Sequence, residues 1–162
     1  MPRTSRSLVA GGHYHVISRG NNRSRLFEDR GDYDAFVGLF RQAQQRTRLS
    51  LLAACIMPNH VHLVVAQQAA GDISRWMHWL LTTHGHRYHL GRETSGRVWQ
   101  GRFKAFPIQQ DAHLLTVMRY VERTPRRARL VRRAENWAWS SLGADAATRA
   151  ELLSAPPADR PR

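Results

Sequence analysis

The sequence predicts an α+β fold: an antiparallel sheet with helices packed on one face. Three observations predict it. Short apolar or alternating runs suited to strands recur at residues 13–19, 49–57, 60–66 and 103–108. Stretches with apolar residues three and four apart, the helical spacing, fall after the first, third and fourth of these runs. Pro58-Asn59 leaves room only for a tight hairpin between the second and third runs. The resulting order, β-α-β-β-α-β and then a helix, is the ferredoxin-like arrangement.

Each element has a local cause. His13 to Arg19 alternates weakly and reads as the first strand, followed by the turn cluster Gly20-Asn21-Asn22 and the basic Arg23 and Arg25. Asp32 is expected to cap a helix whose apolar face is Tyr33, Phe36, Val37 and Phe40, ending near Thr47. Leu49 to Met57 reads as an apolar strand, and His60 to Ala66 returns as its hairpin partner, interior to the sheet. Gly71-Asp72 opens a second helix with Ile73, Trp76, Met77, Leu80, Leu81, His84 and Tyr88 on one face. His78, Thr82, His86 and His89 fall on its other face, which reads as solvated.

Residues 91–96 form a polar loop, after which Arg97 to Trp99 and Phe103 to Ile108 read as extended. Pro107 cannot donate to a ladder, so its strand is expected at an edge or with a bulge. Asp111 is expected to cap a third helix with Leu114, Val117, Met118 and Val121 as its stripe, ended by Pro125. Residues 1–145 read as a single domain, and 146–162, rich in Ala, Pro and Arg, as a mobile tail.

Composition narrows the function class. The 162 residues suffice for one domain with its own core, needing neither disulfide nor structural metal. Basic residues outnumber acidic ones 25 to 12, giving a formal charge of +13, and Lys104 is the single lysine among them. Such a charge attracts a polyanion, nucleic acid being the commonest; the blander source of so many arginines is a GC-rich genome. A single cysteine, Cys55, excludes an internal disulfide and lies in an apolar strand where it reads as core. Leu8-Val9-Ala10 is too short for a signal peptide, and no run reaches membrane-spanning length. The expected setting is the cytoplasm, associated with the nucleoid, with no membrane partner.

His60 and His62 carry the most chemistry. Alternate strand residues share a face, so the two imidazoles project together while Val61, Leu63 and Val65 point into a core. They read either as half of a metal site or as ordinary exposed imidazoles on a sheet. By softness the pair suits zinc, iron, copper or manganese better than magnesium, and it needs a third ligand and an open position. Tyr120 lies off the apolar stripe of its helix, with His113, Thr116 and Thr124. It reads as a surface tyrosine or as a nucleophile that needs a cation nearby. His84 reads as a core histidine, and His13 and His15 repeat the strand spacing of two without apolar alternation to lock them.

Several longer motifs stand in order along the chain. They are Tyr14-His15-Val16-Ile17-Ser18-Arg19-Gly20-Asn21, Met57-Pro58-Asn59-His60-Val61-His62, Trp99-Gln100-Gly101-Arg102-Phe103 and Tyr120-Val121-Glu122-Arg123-Thr124-Pro125-Arg126-Arg127-Ala128, trailed by Trp139-Ser140-Ser141. Together, over roughly residues 12–142, the chain resembles the REP-associated tyrosine transposases. These belong to the HUH single-strand endonucleases, close to the single-tyrosine insertion-sequence transposases.

The resemblance implies an HUH endonuclease type of ferredoxin-like domain plus a C-terminal nucleophile helix. In it His60 and His62 are metal ligands for Mg²⁺ or Mn²⁺, and Tyr120 is the nucleophile. The implied partner is single-stranded DNA with a hairpin, a REP-like palindrome, cleaved and rejoined through a covalent 5′-phosphotyrosine by a monomer or homodimer. Arg19, Arg23, Arg25, Arg102, Lys104, Arg126 and Arg127 are the expected DNA-binding residues. Trp99 or Phe103 would stack bases or pack in the core. One departure stands out: Thr124 occupies the position where relatives carry an Asn or Gln that completes the metal site. Thr124 is therefore the expected but weakened third ligand, and the alternative function is a hairpin-binding protein that has lost cleavage. A zinc hydrolase built on His60 and His62 has no carboxylate nearby in sequence to serve it. A final family tyrosine after Ser-Ser is replaced by Leu142.

Overall fold

The structure is a computed structural model that describes residues 8–109 and 112–154. Its strands are β1 (His13–Arg19), β2 (Ser50–Met57), β3 (His60–Ala66) and β4 (Lys104–Ile108). Its helices are α1 (Arg30–Arg46), α2 (Asp72–Arg92), α3 (Ala112–Arg127) and α4 (Ala146–Leu152). The sheet order is β2-β3-β1-β4, and every neighbouring pair is antiparallel. This is the predicted ferredoxin-like arrangement, with the histidine strand β3 interior and the Pro107 strand β4 at an edge.

The two sheet faces differ. Val61, Leu63 and Val65 of β3 join Phe27, Phe36, Phe40, Ile73, Trp76 and Leu80 in the main core, under α1 and α2. Val64, with Ala53, Cys55 and Met57 of β2, packs against Leu114, Met118 and Val121 of α3 in a second, smaller core. α1 and α2 thus cover one face, and α3, which carries Tyr120, crosses the other. The β2–β3 register shifts between Leu51 and Ala53. That bulge at Leu52 turns Ala53, Cys55 and Met57 toward α3 while Ala54 and Ile56 face the main core.

Four local expectations change. Asp29, not Asp32, caps α1, its side chain accepting from the Asp32 N–H at 2.9 Å. Asp32 instead reaches back to accept from Glu28 N, so the two carboxylates serve two backbone donors at the start of the helix. Pro125 does not end α3, which runs to Arg127 with the proline buried inside it. Proline removes only its own N–H, and the next carbonyls are served by Ala128 N to Thr124 O and Leu130 N to Pro125 O. Residues 97–99 form only an isolated bridge, Trp99 to Gly20, rather than a strand. Finally, residues 146–152 of the expected mobile tail are a helix: Asp145 caps it through Thr148 N, Leu152 is buried, and Glu151 pairs with Arg41 at 2.8 Å. The expected cap Asp111 and the tail beyond 154 lie outside the described residues. No helix among the described residues is long and apolar enough to cross a membrane.

Candidate metal and nucleophile site

β3 presents His60 and His62 on the α3 face, and their Nε2 atoms lie 3.1 Å apart. Two nitrogens bound at about 2.1 Å to one cation, at right angles, would sit about 3 Å apart. The separation therefore suits two ligands of a single ion. Burial pushes His60 down to about 4, helped by the Arg19 guanidinium. Burial likewise pushes His62 down to about 3, with His60, His15, Arg19 and Arg127 adding positive charge around it. Both rings are neutral at neutral pH, which leaves lone pairs to donate.

Further contacts fix the pair. His60 Nδ1 meets Asn59 Oδ1 at 2.7 Å, and His62 Nδ1 meets His15 Nε2 at 2.9 Å. His15 comes from β1, two residues along from Ile17, the register partner of His62. Its ring stacks on His62 with centroids 5.2 Å apart. His15 thus turns toward His62 instead of forming a rival ligand pair with His13.

α3 brings Tyr120 over this group. The phenol ring stands edge-on to both His15 and His62, at 6.2 Å between centroids in each case. It is 48% exposed, open enough to meet a large substrate. Arg127 lies over the same ring, its guanidinium carbon 3.7 Å from the centroid, and donates to Tyr120 O and Thr124 Oγ1.

Thr124 is buried on the same helix, but its hydroxyl donates to Tyr120 O at 3.0 Å and receives Arg127 Nη2 at 3.0 Å. A hydroxyl spent on its own helix, with a guanidinium on its oxygen, is a poor partner for a cation. No group of three His, Cys, Asp or Glu side chains that could hold a metal occurs among the described residues. Two imidazoles with no protein oxygen beside them could hold a cation that accepts ring nitrogen and takes its remaining ligands from water or substrate, a set less suited to Mg²⁺ than to softer divalent ions.

The helix is held in place by a segment whose role the sequence left blank. Trp137 to Ser141 runs along β2: Ile56 N donates to Trp139 O at 2.8 Å, Ser141 N to Ala54 O at 2.8 Å, and Trp137 Nε1 to Ile56 O at 3.0 Å. Ser141 Oγ then donates to Glu122 Oε1 of α3 at 2.7 Å. Glu122 thus ties the Tyr120 helix to the strand that pairs with β3. Gly143 permits the turn that follows, since a Cβ there would lie 1.8 Å from the Trp137 carbonyl oxygen. The Ser-Ser pair and the Glu two after the tyrosine were visible signals, but only the fold joins them.

The basic candidates divide by place. Arg19 is exposed opposite His60, and Lys104 is exposed opposite Ile17, on the His62 face. Arg23 and Arg25 follow the turn beside Asn59, which donates to Arg23 O at 3.5 Å. Arg126 is exposed at the end of α3. Arg102 instead lines an open groove of about 1310 Å³ between α2 and the 93–103 segment. Trp99 and Phe103 are buried, Trp99 donating to His84 Nδ1 at 3.0 Å, so both serve the core.

Known proteins fit this arrangement. The sequence profile of the family described as "Transposase IS200 like" matches residues 8–124, well over half of the chain. The chain belongs to the IS200-like transposase family. The matched span of this IS200-like transposase contains His15, Asn59, His60, His62, Tyr120 and Thr124. Its fold is similar to that of a REP-associated tyrosine transposase solved bound to a REP hairpin. That match has a TM-score of 0.71 at 19% identity and covers 98% of this chain and 94% of the other. A candidate transposase from Deinococcus radiodurans R1 is also similar, at a TM-score of 0.51 and 19% identity, over 75% of this chain and 96% of the other. No curated protein matches the chain.

Proposed function

We propose that this transposase cleaves and rejoins hairpin-bearing single-stranded DNA through a covalent link to Tyr120. The observation that carries the reading is the placement of an exposed phenol over two neutral imidazoles whose Nε2 atoms converge. The hairpin-bound relative supports the substrate class, and the charge of +13 supports a polyanion.

A divalent cation held by His60 and His62 would supply charge neutralisation at the scissile phosphate. The chain's own residues do the rest. Arg19 and Lys104 offer positive charge for the flanking phosphates on the histidine face. Tyr120 Oη attacks phosphorus and loses its proton; the bond to the 3′ oxygen breaks, and that oxygen leaves as a 3′-hydroxyl once protonated. The 5′-phosphotyrosine conserves one phosphodiester, so a 3′-hydroxyl can reverse the step and join strands without a nucleotide cofactor. Arg127, stacked on the ring and bonded to the Tyr120 carbonyl, limits where the phenol can swing.

A second reading has its own observation. Thr124 turns its hydroxyl into α3, leaving two protein ligands for a cation, which suits a hairpin-binding protein that has lost cleavage. One assay separates the two. With Mn²⁺ and hairpin-bearing single strands from the gene's own flanks, the parent should give a covalent adduct on a denaturing gel. Tyr120→Phe should bind the same DNA and give none. Hairpin binding with no parent adduct in Mn²⁺ or Mg²⁺ would favour the second reading.

A further inference from the structure

α3 does not cover the whole of its sheet face. Ile108 of β4 is buried with Leu114 and Met118 of α3 in the smaller core. Phe106, two residues back and therefore on the same face, is 49% exposed. Lys104, two further back, is exposed as well. Their register partners on β1 are His15 and Ile17, both half-buried. β4 is the edge of the sheet, so an open strip is left between the Tyr120 helix and that edge.

The strip has an apolar floor and a cationic rim. Ile17 and Phe106 supply the floor, and Lys104 with Arg19, at the end of β1, supplies the rim. The His15 ring neighbours both aromatic groups, its centroid 6.3 Å from that of Phe106 and 6.2 Å from that of Tyr120. A lone exposed phenylalanine needs no explanation. This one shares its face with an exposed phenol and two exposed cations. An unpaired nucleotide has the matching parts: a flat apolar base with a phosphate on either side. Duplex DNA keeps its base faces in the stack and offers nothing to such a ring. Aromatic rings on an open sheet are a common platform for single-stranded nucleic acid.

We propose that Phe106 is a base-stacking residue, seating an unpaired base next to the phosphate at Tyr120 while Lys104 holds a neighbouring phosphate. The inference rests on the cleavage reading above. It deepens that reading by requiring an unpaired strand at the junction and by naming the side chain that seats it. Stacking accepts any base, so Phe106 contributes affinity and placement and leaves the choice of sequence to other residues.

Two DNA probes test this: a hairpin from the gene's own flanks with its unpaired flank attached, and the same hairpin cut back to the paired stem. Chelator separates binding from cleavage. Under it, Phe106→Ala should bind the flanked hairpin about tenfold more weakly than the parent and the bare stem equally well. Phe106→Trp, which keeps a ring for stacking, should recover most of the loss. The fluorescence of 2-aminopurine falls when it stacks. Walked along the flank, it should be quenched at one position by the parent and Phe106→Trp but not by Phe106→Ala. Equal affinity of parent and Phe106→Ala for the flanked hairpin, or an equal loss on the bare stem, would overturn the proposal. So would a parent dimer that Phe106→Ala dissociates in sedimentation, since the β4 edge would then be a contact between copies. Phe106-dependent stacking in a parent that forms no covalent adduct would remove the cleavage reading and keep the stacking residue. An adduct formed with equal affinities would do the reverse.

Discussion

The two faces of one sheet make the central comparison. On the α1–α2 face, residues 61, 63 and 65 of β3 enter a core built from large aromatic and aliphatic side chains, with Phe27, Phe36 and Ile73 wholly buried. On the α3 face, residues 60, 62 and 64 of the same strand are two histidines and a valine, and the apolar contacts are fewer and smaller. The alternation of a strand lets one segment serve both purposes. One face supplies rigidity, and the other can therefore carry neutral, buried imidazoles that would be too costly on a loosely held strand. Histidine occurs on both faces, and the difference between them is instructive. His84, on the buried side of α2, is enclosed by Phe27, Phe36 and Trp99 and accepts from Trp99 Nε1. His62 faces other polar groups and an exposed tyrosine.

The largest expected effect probes the packed face. Burial pushes His84 down to about 4, with Arg92 adding to the shift and Asp32 opposing it. Its folded value lies below the unfolded one near 6.5, so protons favour the unfolded chain. The stability it contributes is complete above about pH 6.5 and is lost as pH falls through about 4. His84→Gln keeps an acceptor for Trp99 and removes the titration. Between pH 7 and pH 4, urea unfolding of the variant should lose on the order of 3 kcal/mol less stability than the parent. Parallel acid profiles would mean that the packed face does not hold this histidine neutral.

A smaller effect is expected where α3 is tied down. Glu122→Ala removes the carboxylate that Ser141 Oγ donates to, at a cost of about 2 kcal/mol in urea unfolding. Because the loss loosens the Tyr120 helix without touching a phosphate ligand, the rate of adduct formation should fall while hairpin affinity stays level. A fall in hairpin affinity with an unchanged adduct rate would place Glu122 in DNA binding instead.

How much of this could be read from residues alone divides along the same line. The packed face was legible, since the spacings of Phe36 and Phe40 in α1 and of Trp76 and Leu80 in α2 are set by helix geometry and their own apolarity. The pairing of His60 with His62 was legible for the same reason. The His15–His62 contact and the Glu122–Ser141 bond were not, because each joins elements distant in sequence that only the fold brings together; Asn59 adjoins His60, but its contact there depends on how the hairpin turn orients the amide. The helix caps show the limit at short range. Asp29 and Asp32 offer the same carboxylate, and the choice between them depends on where the chain enters α1 after Phe27.

The smallest effect concerns Thr124. With its hydroxyl bonded to Tyr120 O and Arg127, Thr124→Val should change Mn²⁺ affinity by less than about threefold, well below the loss typical of removing a ligand or its orienting partner. Isothermal titration would show it, and a loss of tenfold or more would return Thr124 to the ligand set.

The most direct test of the account is to find which side chain carries the DNA. The chain has four tyrosines; Tyr14 and Tyr33 are each 4% exposed, whereas Tyr120 is 48% exposed. After reaction with Mn²⁺ and flank-derived hairpin DNA, nuclease trimming and proteolysis, mass spectrometry should place a single nucleotide-bearing phosphate on the peptide containing Tyr120. The account predicts that mass on Tyr120 alone and its disappearance in His62→Ala. The same adduct on Tyr88, or an adduct on Tyr120 that persists undiminished in His62→Ala, would contradict it.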